Sequence, residues 1–89
     1  MEKVIVTVRD PKDTFEYDME LPVNEPCGIL ARKSAALIKA YDPDAARFLI
    51  SPVFAKVNGD PVPDNATLAE SDVWDGCVLI LHDCVNGGV

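Results

Sequence analysis

Within the run Met19-Glu20-Leu21-Pro22-Val23-Asn24-Glu25-Pro26-Cys27-Gly28-Ile29-Leu30-Ala31 the hydrophobic period changes from two to between three and four. Alternating side chains suit a strand with one buried face, whereas recurrence at three and four suits one stripe of a helix. Asn24 has the side chain of a helix cap. Glu25 and Pro26 fit a first turn, where a carboxylate meets the positive end of the helix dipole and a missing N–H costs nothing. From Cys27 to Tyr41 the expected stripe is Cys27, Leu30, Ala31, Ser34, Leu37, Ile38 and Tyr41. Asp42-Pro43-Asp44 ends the helix, because a residue before proline avoids the helical region.

Upstream, Lys3 to Arg9 alternates, with Val4, Val6 and Val8 on one face. Thr14 to Leu21 alternates again, placing Phe15, Tyr17, Met19 and Leu21 inward and Glu16, Asp18 and Glu20 outward. The polar turn Asp10-Pro11-Lys12-Asp13 between them predicts a hairpin.

Downstream, Arg47 to Ile50 is strand-like but interrupted by Ser51-Pro52, which makes it an edge or a loop entry. Val53 to Val57 alternates, with Phe54 and Lys56 on the opposite side from Val53, Ala55 and Val57. Asn58-Gly59 is a two-residue turn signal, since both residues tolerate positive φ. Pro61-Val62-Pro63 leads to a short turn segment anchored by Leu68. Asp75-Gly76 then opens a last strand, Cys77 to His82, with Leu79 and Leu81 inward and Val78, Ile80 and His82 outward. The order of elements predicts a two-layer α+β fold, one helix across a mixed four- to five-stranded sheet. Its first and last strands are expected to run parallel at the centre, as their Val and Leu content suits.

The chain has 89 residues, 48% of them hydrophobic, and a net charge of −7. That is one domain, burying about 60–65% of the surface its unfolded form exposes. A deep catalytic cleft would take residues from the core, which disfavours an enzyme. The negative charge repels phosphate backbones and anionic membranes, so neither nucleic acid nor a membrane is an expected partner. Cys27, Cys77 and Cys84 cannot all pair with one another, and Met1-Glu2-Lys3-Val4 is unlike a signal peptide, so a reducing, cytoplasmic setting is expected. Cys77, His82 and Cys84 match no common zinc spacing, and in a strand residue 77 faces away from residues 82 and 84. Neither a metal nor a cofactor is called for.

Over nearly its whole length the chain resembles the ubiquitin-like β-grasp superfamily. The second half is similar to ubiquitin in Asn58-Gly59, Thr67-Leu68, Ser71-Asp72-Val73, Val78-Leu79-Ile80-Leu81 and the closing Gly87-Gly88. Leu21-Pro22-Val23-Asn24 and Leu68 with Val73-Trp74-Asp75-Gly76 resemble the YukD/EsaB-like proteins of bacterial type VII secretion loci. Val57-Asn58-Gly59, Val62, Asp75-Gly76 and Gly87-Gly88 resemble the sulfur carriers of thiamin and molybdopterin synthesis.

The first relationship implies a protein modifier, with residues 1–82 as the body and 83–89 as a flexible tail. Val89 would be trimmed by a processing peptidase. The Gly88 carboxylate would then pass to an adenylating activating enzyme and a conjugating enzyme, glycine being narrow enough to enter such a channel. The second relationship implies a non-conjugated binding module of a secretion machine, and the third a thiocarboxylate carrier. The tail departs from ubiquitin's in carrying Asp83 and no arginine, and YukD/EsaB-like proteins generally lack the glycine pair. Ubiquitin is held through an apolar patch on the exposed sheet face, and the resemblance places Phe54, Ile80 and His82 there. The alternation count also puts these three outward. Scattered apolar surface residues are common, so composition alone does not single them out.

Overall fold

The computed structural model describes residues 2–83. Its elements are β1 (Lys3–Arg9), β2 (Glu16–Pro22), α1 (Cys27–Tyr41), α2 (Pro43–Ala46), β3 (Pro52–Lys56) and β4 (Val78–Asp83). The sheet order is β2-β1-β4-β3. β1 pairs antiparallel with β2 and parallel with β4, and β3 pairs antiparallel with β4. This is the β-grasp arrangement, with the first and last strands parallel in the middle as their composition predicts.

One sheet face is closed over a core. Val4, Val6, Val8, Met19, Leu21, Phe54, Leu79 and Leu81 are buried together with Leu30, Ala31 and Ile38 of α1. Burying a side chain of this size contributes roughly 1.5–3 kcal/mol. Leu68 reaches the core from a turn in which Thr67 N–H donates to Glu70 Oε1 (2.9 Å) and Glu70 N–H donates to Thr67 Oγ1 (3.1 Å). This reciprocal pair is a capping box.

The start of α1 departs from expectation. Pro26, not Asn24, occupies the cap position, and no side chain bonds the first turn. Instead Cys27 N–H donates to Ala66 O (2.8 Å) and Gly28 N–H to Asp64 O (2.9 Å). A loop distant in sequence thus satisfies donors that a local cap would otherwise take. The same loop lies so close that a Cβ on Gly28 would sit 2.9 Å from Asp64 Cβ.

The helix stripe is also shifted. Gly28 and Ala35 are buried, whereas Leu37 and Tyr41 are exposed, with Tyr41 stacking on Tyr17 at a centroid distance of 6.4 Å. Asp42 ends α1 and caps α2 through Ala45 N–H (3.3 Å). Arg47 to Ile50 forms turns and no strand: Leu49 is buried and held by Lys39 Nζ donating to its carbonyl (2.7 Å), while Ile50 is exposed. After the Asn58-Gly59 turn the chain returns only as a single bridge, Ala55 to Pro61, so the sheet has four strands and not five.

β4 continues through Asp83, whose Oδ1 accepts from Ile50 N–H (2.9 Å) and Ser51 N–H (2.6 Å). Asp83 therefore belongs to the body and not to the tail. At the other end of β4, Gly76 turns the chain with φ +87°. Asp75 Oδ1 accepts from Ile5 N–H (2.7 Å) and Gly76 N–H donates to Ile5 O (3.0 Å), which ties this turn to β1.

Candidate interaction surface

The sheet face away from α1 is built by the alternate residues of the same strands. Register places Arg9 beside Ile80, Ile80 beside Ala55, and His82 beside Val53. Ile80, His82 and Val53 are each half-buried. Ile80 and His82 border a shallow depression of about 470 Å³ whose wall also includes Arg9, Ala55, Lys56 and Val57. Ala55 and Ile80 form its apolar floor. Arg9 and Lys56 supply cationic groups at its rim, and among the described residues neither takes part in an ion pair. Asp10 and Asp13 line the same depression, so its formal charges balance within a chain of net charge −7.

Three hydrogen bonds hold the border in place. His82 Nδ1 lies 3.0 Å from the carbonyl oxygen of Asp83. A carbonyl only accepts, so Nδ1 carries the proton, and in the neutral imidazole Nε2 is left to accept from a partner or from water. Asp10 is buried, with Oδ1 accepting from the N–H groups of Thr14 and Phe15, the latter at 3.2 Å. This fixes the β1–β2 turn that forms one wall. The arrangement offers a small apolar floor, a hydrogen-bond acceptor and cationic edges, which suits protein binding.

Of the expected site residues, Ile80 and His82 come together here. Phe54 does not. It is 1% exposed, paired in register with Leu81 and packed in the core, and the position it was expected to fill is Ala55. The physical reason is the Asn58-Gly59 turn. It ends β3 at Lys56, so Val57 leaves the strand and no longer argues for its face. Between Phe54 and the pair Val53 and Ala55, the aromatic ring buries the larger area and takes the core side. Strand length set by the turn, together with side-chain size, was the signal that located Ala55. Arg9 and Lys56 carried no signal beyond their charge. Gly87, Gly88 and Val89 lie outside the described residues.

Cys27, the first residue of α1, is buried, and burial pushes its thiol up from the ordinary range. That makes it a packing group and not a nucleophile. Among the described residues no three His, Cys, Asp or Glu side chains group as metal ligands, and no helix is long and apolar enough to cross a membrane.

Residues 3–81 match the family described as "WXG100 protein secretion system (Wss), protein YukD". No curated protein matches the chain significantly. Among solved structures, the chain is similar to the ubiquitin-like domain of the Mycobacterium tuberculosis type VII secretion system protein ECCD1. The TM-score is 0.75 at 20% identity, covering 91% of this chain and 98% of that one. It is also similar to Caldiarchaeum subterraneum ubiquitin, with TM-score 0.70 and 20% identity over 98% of this chain and 100% of that one. A chain of the MycP5-free ESX-5 inner membrane complex matches with TM-score 0.76 and 18% identity; it covers 92% of this chain, which spans 21% of that one. At these identities the structural likenesses establish the ubiquitin-like fold.

Proposed function

Because this chain belongs to the YukD family of the WXG100 protein secretion system, we propose that it is a non-catalytic, ubiquitin-like binding module of a type VII secretion apparatus. It docks on a protein component of that machine through the outward face of β3 and β4. The observation that carries the reading is the family match over residues 3–81, which spans nearly all of the described body and stops short of the glycine pair. The depression bordered by Ile80, His82, Arg9 and Lys56 supports it by supplying a site for a partner.

The test is export of WXG100-type substrates from the native host. With Gly87 to Val89 deleted, export is expected to persist. With Ile80→Glu, which puts a charge on the apolar floor, export is expected to fall while circular dichroism stays unchanged. Loss of export on tail deletion, with Ile80→Glu harmless, overturns the reading.

A second reading, the conjugated modifier, is supported by Gly87-Gly88 in the sequence. It requires a processing peptidase to remove Val89, then an activating and a conjugating enzyme. Intact mass from the host decides it: loss of one valine, with higher-mass covalent species abolished by Gly88→Ala, establishes conjugation. Replacement of one oxygen by sulfur at the trimmed end would instead establish a sulfur carrier.

A further inference from the structure

The two outer strands of the sheet end differently. Beyond β3 the chain folds back on itself: Lys56 N–H donates to Asp60 O (2.8 Å), Val62 N–H donates to Phe54 O (3.1 Å), and Ala55 bridges to Pro61. That edge is occupied. β2 pairs over all seven of its residues with β1, and among the described residues no strand lies on its other side. A row of backbone donors and acceptors therefore remains open over Glu16–Pro22, a template for one more strand.

We propose that the β2 edge is a second docking site, which takes an extended segment of another protein in which Lys or Arg alternates with apolar residues. The alternation follows from the pleat, since successive side chains of an added strand point to opposite faces. On the outward face they would meet Glu16, Asp18 and Glu20, all exposed and none in an ion pair among the described residues. Facing charges of opposite sign stabilise a cross-strand pair and like charges destabilise it. On the helix side the added strand would meet half-buried Tyr17 and exposed Tyr41, which already stack on each other. Exposed Leu37 lies one helical turn before Tyr41 on the same side of α1 and extends that apolar border. A second copy of this chain is disfavoured as the occupant, because its own β2 would set carboxylates against carboxylates. β2 and β3 are the two outer strands of the sheet, and docking on the β2 edge does not require the depression.

The experiment uses the full-length, isotope-labelled protein and a capped seven-residue peptide alternating lysine and valine. Amide shifts and slowed hydrogen exchange are expected over Glu16–Pro22, weakening with salt, and Glu16→Lys with Glu20→Lys is expected to weaken binding about tenfold. Tyr41→Ala is expected to weaken binding with the acidic row intact. The proposal is overturned by equal binding of an alternating glutamate–valine peptide, by shifts confined to β3 and β4, or by absence of binding at millimolar peptide. β2 protection that rises with protein concentration in the absence of peptide would assign the edge to a second copy, and would equally overturn it.

Discussion

On β4, Leu79 and Leu81 are shut inside the protein while Ile80 and His82, one residue along, keep part of their surface in water. β3 repeats the contrast with buried Phe54 beside half-buried Val53. The two faces share a backbone and a register, and they differ in their side chains and in what stands opposite: α1 and the turn carrying Leu68 on one side, solvent on the other. Substitutions on the inner face should therefore register as lost stability, and substitutions on the outer face as lost binding.

The sharpest break in that contrast comes from Phe54→Ala, which leaves a cavity under α1 and is expected to cost about 3–5 kcal/mol in urea denaturation. An unchanged midpoint would put Phe54 on the outer face after all. Next is Asp10→Ala. It removes the buried acceptor of the Thr14 and Phe15 N–H groups and is expected to cost about 1–3 kcal/mol by the same measurement.

Cys27 sharpens the comparison through pH. Its thiol is raised by burial, so the folded state holds the proton where the unfolded chain releases it. Stability contributed by the protonated thiol is fully present below the ordinary thiol pKa of about 8.5 and is lost as pH rises through and beyond it. The penalty for Cys27→Ala is accordingly expected to shrink from pH 7 to pH 10, and a penalty independent of pH would contradict the assignment. The smallest effect on folding is expected from Ile80→Ser. It should shift stability by no more than about 0.5 kcal/mol, as an outer-face substitution does, while weakening a partner on the depression as judged by pull-down from the host.

Period, turns and breakers were legible in the residues. Alternation around Val4, Val6 and Val8 gave β1, recurrence from Cys27 gave the span of α1 to Tyr41, and Asp42-Pro43 gave its end, because these signals act within one or two turns of the chain. So was the inward side of β4, where Leu79 and Leu81 leave no ambiguity. What folding in three dimensions settled was every choice that depends on what lies opposite. The first N–H groups of α1 bond to Asp64 and Ala66, and not to Asn24, because a distant loop packs on Gly28. Leu37 and Tyr41 stay exposed because, among the described residues, no layer covers that flank of the helix, and Phe54 turns inward because its ring fills space beneath α1 that Val53 and Ala55 cannot. Local propensity reaches a few residues along the chain, whereas burial is decided by neighbours tens of residues away. For that reason the strands and helix could be read in advance, and the surface that meets a partner could not.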